Sequence, residues 1–149
     1  MRAVIQRVSE ASVSIENKIV SEINTGLLIF LGIESEDFKE DSLWLAKKIA
    51  HLRIFSDFEG KMNKSITEID GEIIVVSQFT LYAKIKKGNR PSYINAARAE
   101  QAIPLYEQFK RDLSFNVSKE VKSGEFGSDM KVSLKNDGPV TIIIDTKNK

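Results

Sequence analysis

Apolar residues run four together at Ile73-Ile74-Val75-Val76, and the pattern then breaks into polar Ser77, Gln78 and Thr80 interleaved with Phe79 and Leu81. Consecutive, mostly β-branched residues describe a strand buried on both faces. A strand that turns polar where it leaves the core is a natural place for a site. Ser77, Gln78 and Thr80 bring hydroxyl and amide groups, and a bulge at this point would free backbone N–H groups able to hold a developing oxyanion. The same residues could also do no more than satisfy backbone groups at a strand end.

Around this run the pattern predicts a mixture of strands and helices. Met1 to Ile23 is rich in Val, Ile and Ser, with Val13 and Ile15 facing one way and Ser12 and Ser14 the other. It reads as two or three antiparallel strands joined by a tight hairpin at Glu16-Asn17-Lys18. Gly26 opens Leu27 to Ile33, a second strand buried on both faces. Asp37 with Glu40 three residues on marks a helix start, and Leu45, Ile49 and Leu52 form the stripe of an amphipathic helix on a sheet. Ser56 to Lys61 reads as an exposed turn, Asp70-Gly71 as a hairpin delivering the central strand, and Tyr93 to Leu113 as helix. Leu105, Phe109 and Leu113 are that helix's buried stripe, and Pro104 must sit in a first turn or kink it. Val117 to Val121 alternates apolar with polar residues, and Met130, Val132 and Leu134 alternate as a half-buried strand. Asn136-Asp137-Gly138-Pro139 then turns the chain into a final buried strand, Val140 to Ile144.

Composition narrows the chemistry. The chain has 149 residues, enough for one domain with a single core, and 22 Lys plus Arg against 21 Asp plus Glu. That balance gives no reason to expect a generic nucleic-acid coat or a polybasic membrane binder, so no DNA and no membrane partner is expected, and an RNA would have to be held by a local patch. Ala83 to Pro91 is such a patch, a loop in which Lys84, Lys86, Lys87 and Arg90 cluster. With no cysteine there is no disulfide, thiol nucleophile or thiolate ligand, and with one histidine no histidine-rich metal site. His51 has no carboxylate or nucleophile near it in sequence and reads as a surface residue near a helix end. The first residues lack a signal-peptide pattern and no apolar run approaches a membrane span, so a soluble, cytoplasmic protein is expected. Any hydrolysis must therefore rest on binding, backbone donors, hydroxyls and the substrate itself, with no metal and no cofactor.

Ser77-Gln78-Phe79-Thr80-Leu81 and Asn136-Asp137-Gly138-Pro139-Val140-Thr141 together resemble the two signature motifs of the D-aminoacyl-tRNA deacylases. The similarity runs from Met1-Arg2-Ala3-Val4-Ile5-Gln6-Arg7-Val8 through Leu52-Arg53-Ile54-Phe55 and Gly60-Lys61-Met62-Asn63 to Phe126-Gly127 and Met130. The basic loop resembles the family's Lys-Gly-x-Arg-Pro-Ser segment, with Asn89 where many relatives carry a basic residue, and Arg98-Ala99-Glu100 departs from a proline-containing segment common in relatives.

What the resemblance implies is specific. The fold is a single α/β domain spanning residues 1–149, with mixed, strongly bent, barrel-like sheets covered on one side by two main helices. The activity is hydrolysis of the ester in D-aminoacyl-tRNA, with achiral glycyl-tRNA also accepted. Backbone amides around Gln78 and Phe79 would hold the scissile carbonyl, with the Ser77 and Thr80 hydroxyls close by. Thr80 is either the nucleophile or dispensable beside the substrate's 2′-hydroxyl; nothing basic adjoins it in sequence, which favours the second. Gly138-Pro139, with Asn136 and Met130, would form the substrate and chirality site. Proline alone makes an ordinary trans turn the expectation, but in the family this dipeptide is cis and enters the other subunit's active site, implying a homodimer. The basic loop would bind the acceptor end of tRNA. The rivals are a non-catalytic RNA-end or small-ligand binding module, and an esterase or amidase for a different acyl group.

Overall fold

A computed structural model describes residues 1–86 and 88–149. Its organising strand is β1 (Arg2–Ile15), long enough to be shared by three neighbours. Along one edge β1 pairs antiparallel first with β3 (Gly26–Gly32), from Arg2↔Gly32 to Val8↔Gly26, and then with β2 (Lys18–Ile23), from Ala11↔Ile23 to Ile15↔Lys18. The β1–β2 turn is the hairpin the sequence predicts, with Glu16 and Asn17 both at positive φ (49° and 63°). Along its other edge β1 pairs antiparallel with β8 (Lys131–Asp145).

The sheet continues beyond β3 in parallel. β6 (Glu72–Ser77) pairs with β3 from Gly26↔Glu72 to Leu31↔Ser77, and the short β7 (Lys122–Ser123) pairs with β6. Parallel neighbours need crossover connections. The first carries α1 (Lys39–Ala50) and the small hairpin of β4 (Phe55–Ser56) and β5 (Met62–Lys64); the second carries α2 (Ala99–Val117). The result is one α/β domain, a mixed sheet bent nearly into a barrel and covered by two main helices.

Strands β3 and β6 are buried on both faces, as their continuous apolar runs require. Leu27, Ile29, Leu31, Ile73 and Val75 face the helices, packed with Leu45 and Ile49 of α1 and Leu105, Phe109 and Leu113 of α2. Leu28, Ile74 and Val76 face the inside of the curved sheet with Val8, Ala11, Val13 and Ile23. Among the described residues no helix is long and apolar enough to cross a membrane.

The structure departs from the sequence pattern at five places. Helix α1 begins after Phe38, whose N–H donates to the Asp41 carboxylate at 3.1 Å. Asp37 does not cap it: its carboxylate is buried, accepts the Glu34 N–H at 2.8 Å and pairs with the Met1 ammonium. Tyr93 to Arg98 is not helical, because this segment spends its backbone groups on the end of β3: Ala97 N–H donates to Ile33 and Asn95 accepts from Ser35. Pro104 thus falls in the second turn of α2, where the Glu100 carbonyl lacks its usual donor. Asp70-Gly71 is a turn closed by the Gly71 N–H on the Ile66 carbonyl at 3.0 Å, not a hairpin, since the strand it feeds runs parallel to β3. Val117 closes α2, and Ser118 stops it in the left-handed region at φ 53°.

The fifth departure bears on function. Asn136 to Pro139 does not turn the chain; it is a bulge inside the single strand β8, which pairs with β1 on both sides of it. The register jumps from Gln6↔Thr141 to Val8↔Asn136, so Asp137 to Val140 stand opposite Arg7 alone. As the last strand on its edge, the segment after the bulge is half-exposed and not buried, with Ile143 at 69 % exposure.

Candidate active site

Ser77 ends β6 opposite Leu31, and the Gln78 N–H makes one last ladder-like bond to the Leu31 carbonyl at 2.8 Å. The chain then tightens into a 3-10 turn, Phe79–Tyr82. A 3-10 turn leaves its first amides without internal partners. Leu81 N–H closes on Gln78 and Ala83 N–H on Thr80, at 3.3 and 3.0 Å, whereas the N–H groups of Phe79 and Thr80 have no acceptor among the described residues. Two adjacent free amides at the end of a buried strand are donors available to an acceptor from outside the chain. The turn sits directly on β3, where a Cβ added to Gly32 would lie 3.1 Å from the Gln78 carbonyl oxygen, the Leu81 Cβ and the Tyr82 ring.

Beside the turn opens a cavity of about 140 Å³. Leu31, Ile33, Phe79, Ala97, Ala102, Phe126 and Met130 supply apolar walls, and Ser77, Gln78 and Ser128 the polar positions. Tyr106 backs this region: its hydroxyl donates to the Val75 carbonyl at 2.8 Å and its ring meets Phe126 edge-on at 5.6 Å. Phe79, 56 % exposed, meets Tyr93 edge-on at 5.0 Å at the rim. Burial pushes the Tyr106 and Tyr82 hydroxyls well above the ordinary tyrosine range, so neither exchanges protons near neutral pH. The Thr80 hydroxyl accepts from the Gln78 side-chain amide at 2.6 Å, a donor that does not remove its proton.

The structure thus brings Ser77, Gln78, Phe79 and Met130 to this cavity, with Thr80 next to Phe79 on the same turn but not in the lining; Asn136, Gly138 and Pro139 do not line it. These lie on the β8 bulge, exposed at Gly138 and Pro139, with the Gly138-Pro139 peptide cis and Gly138 at φ 132°. Asn136 braces the bulge from within, its Oδ1 accepting from the Val140 N–H at 2.9 Å and its Nδ2 donating to the Thr141 hydroxyl at 3.0 Å. Arg7 braces it from β1. Buried at 8 % exposure, Arg7 donates to the carbonyls of Asp137 at 2.9 Å and Ile54 at 2.6 Å and lies 3.4 Å from the Asp137 carboxylate.

The basic loop leaves directly from the 3-10 turn. Reciprocal bonds between Lys84 and Ser92, 2.8 and 3.0 Å, pinch its base, and Lys84, Lys86 and Arg90 are exposed beyond it. Lys87, the fourth predicted cation, lies outside the described residues. His51 is exposed at the end of α1, its ring nitrogen bonded to the Lys47 carbonyl at 2.8 Å.

Sequence reasoning missed Arg7 and Gly32. Arg7 carried a signal: it shares strand parity with buried Ala3 and Ile5, so a charge there points inward and must find partners. Gly32 carried none, because its neighbours Gln78, Leu81 and Tyr82 are remote in sequence.

A family model described as D-Tyr-tRNA(Tyr) deacylase matches residues 4–145 of the chain. The D-aminoacyl-tRNA deacylase of Bacteroides fragilis (strain YCH46) is 64 % identical over 149 residues, covering 100 % of this chain and 99 % of the relative. That of Flavobacterium psychrophilum is 62 % identical over 149 residues, with the same coverage of 100 % and 99 %. Among solved structures, one named c-Myc DNA Unwinding Element Binding Protein superposes with a TM-score of 0.92 at 40 % identity, covering 97 % of this chain and 98 % of that one. A second, described as a probable eukaryotic D-amino acid tRNA deacylase, shares the fold at a TM-score of 0.83 and 18 % identity, covering 96 % and 97 %. The protein is a hydrolase of the aminoacyl-tRNA-deacylating class. It belongs to the D-Tyr-tRNA(Tyr) deacylase family.

Proposed function

We propose that the protein hydrolyses the ester of D-aminoacyl-tRNA in the cytoplasm as a chiral proofreading step of translation, and that glycyl-tRNA is also a substrate. The carrying observation is the pair of free amides at Phe79 and Thr80, which open the 3-10 turn beside the pocket. Water adds to the ester carbonyl, aided by the neighbouring 2′-hydroxyl of the terminal ribose. The carbonyl oxygen becomes an oxyanion held by the two N–H groups; the tetrahedral centre then collapses, and the ribose 3′-oxygen leaves and takes up a proton. One such donor is worth about 3–4 kcal/mol of barrier. This chemistry asks for no base on the enzyme, in keeping with a Thr80 hydroxyl that meets an amide and not a basic nitrogen.

Selection by chirality falls to the β8 bulge. Gly138 and Pro139 are exposed, absent from their own chain's pocket and stiffened by Arg7 and Asn136, which suits a rigid probe inserted into the pocket of a second copy. There the main-chain carbonyls would capture the α-ammonium and leave no room for an L side chain, so a symmetric homodimer is the working unit. Glycine, with no side chain to exclude, passes the same filter. Lys84, Lys86 and Arg90, exposed beyond the turn, contact phosphates of the acceptor end, and Lys87 is assigned the same role from the sequence.

Deacylation of matched D- and L-tyrosyl-tRNA by the pure protein tests this. Rapid release from the D ester and slow release from the L ester are expected. Turnover of neither, with tRNA still bound, would make the protein a binding module.

A further inference from the structure

We propose that Arg2 is a positioning residue that holds the 3-10 turn, and with it the two free amides, in the orientation the oxyanion needs. The proposal rests on the assignment of those amides as the oxyanion donors. At its entry the turn is tied to β3 by the Gln78 N–H on the Leu31 carbonyl, and its floor is Gly32. At its exit the Leu81 carbonyl accepts from Arg2 Nη1 at 2.6 Å. The rest of the guanidinium is already committed: Nε and Nη2 donate to the Asp145 carboxylate at 3.1 and 2.8 Å, and the group lies 4.8 Å from the centre of the Tyr82 ring. Because the fork is planar, the Asp145 pair and the Tyr82 face together fix the direction in which Nη1 points. A water molecule would satisfy the Leu81 carbonyl equally well but would not fix its direction.

Without Arg2 the turn keeps its entry bond and its floor, and its far end is free to tilt. The N–H vectors of Phe79 and Thr80 tilt with it. Donors must lie within about 2.7–3.1 Å of the oxygen as its charge develops, so a small tilt weakens the transition state more than the bound ground state. Of the pocket's apolar walls Phe79 rides on the turn, while Leu31, Ile33, Ala102 and Phe126 belong to other elements and stay in place. The loss therefore falls on kcat, with KM little changed.

The test compares wild-type, Arg2→Ala, Arg2→Lys and Asp145→Asn enzymes on D-tyrosyl-tRNA, with thermal unfolding recorded for each and rates expressed per folded enzyme. Arg2→Ala is expected to lose tenfold to a hundredfold in kcat with KM within about twofold. Since the Arg2 side chain is 36 % exposed, added guanidinium ion at non-denaturing concentration can reach the vacated site and restore part of the rate. Arg2→Lys, which can reach the Leu81 carbonyl but cannot form the fork to Asp145 as well, should lie between. Asp145→Asn still accepts from the guanidinium and should keep kcat within about threefold. The proposal is overturned by a wild-type rate in Arg2→Ala, by a loss that guanidinium does not recover, or by an equal loss in Asp145→Asn, which would place the effect in the ion pair. Wild-type enzyme inactive on D-tyrosyl-tRNA would instead defeat the deacylase assignment itself.

Discussion

Replacing Gly138 by alanine is the sharpest single perturbation of the β8 bulge. The residue sits at φ 132°, a conformation L side chains rarely adopt, and holding alanine there costs about 1–3 kcal/mol. Crowding adds to this. A Cβ at Gly138 would lie 2.8 Å from Val140 Cγ2, 2.9 Å from Arg7 Nη2 and 3.1 Å from the Val140 nitrogen. The valine methyl can rotate away, but the Arg7 guanidinium is held by the Asp137 and Ile54 carbonyls. Either the bulge moves outward or Arg7 gives up a charged hydrogen bond worth about 1.5–3 kcal/mol. At roughly 2–4 °C per kcal/mol for a chain of this size, strain alone lowers Tm by about 2–12 °C. Gly60→Ala supplies the control, since Gly60 is also at positive φ (79°) but has nothing within 4 Å of its would-be Cβ. Thermal unfolding by circular dichroism and deacylation of D- and L-tyrosyl-tRNA are measured on both variants. Gly138→Ala should lose more Tm than Gly60→Ala, and it should lose D activity and D-over-L discrimination, which Gly60→Ala keeps. Equal Tm losses in the two variants together with an unchanged D-over-L ratio in Gly138→Ala would refute both the packing and the role assigned to the bulge.

Three further outcomes are expected. Thr80→Ala should retain most of its kcat, while tRNA ending in 2′-deoxyadenosine should be a very poor substrate; a dead Thr80→Ala enzyme with normal turnover of the deoxy substrate would make Thr80 the nucleophile. Replacing Lys84, Lys86 and Arg90 by alanine should weaken tRNA binding and flatten its dependence on salt, leaving the D-over-L ratio alone, because each lost phosphate contact removes about one released counterion; an unchanged salt slope would mean that tRNA approaches over a different surface. In acid, Asp145 and Asp41 should contribute to unfolding. Burial alone would raise both carboxyls, but the Lys147 N–H and Arg2 at Asp145, and the Phe38 N–H and Lys149 at Asp41, hold them below the ordinary 3.8. Groups with depressed folded values add stability that is complete above about pH 4 and is lost as pH falls through the folded values. Tm should therefore fall below pH 4, less steeply in Asp145→Asn, and equal slopes in the two proteins would remove Asp145 from the account.

Much of the architecture was legible in the order of residues because it depends on burial along a single element. Continuous apolar runs at Leu27–Leu31 and Ile73–Val76 required strands covered on both faces, and the helix stripes at Leu45 and Ile49 and at Leu105, Phe109 and Leu113 required a sheet beneath them. Asn17 in the first hairpin and the polar break after Val76 were local chemistry of the same kind. The two motifs that mark the family are local as well. What the sequence left open was settled by contacts between distant residues. Tyr93 to Arg98 has helix-forming alanines, but its backbone bonds to Ile33 and Ser35 offer the same groups a partner that helix propensity does not count. Asn136 to Pro139 has the composition of a turn, yet β1 pairs with the chain on both sides of it, so the extra residues bulge from one strand. The free amides of Phe79 and Thr80 open a 3-10 turn that lies on β3 over Gly32 and is bonded to Arg2 at Leu81, contacts between distant residues that no periodicity reveals. Burial patterns repeat along a chain and can be read from it; the direction of a hydrogen bond is decided only when two remote segments meet.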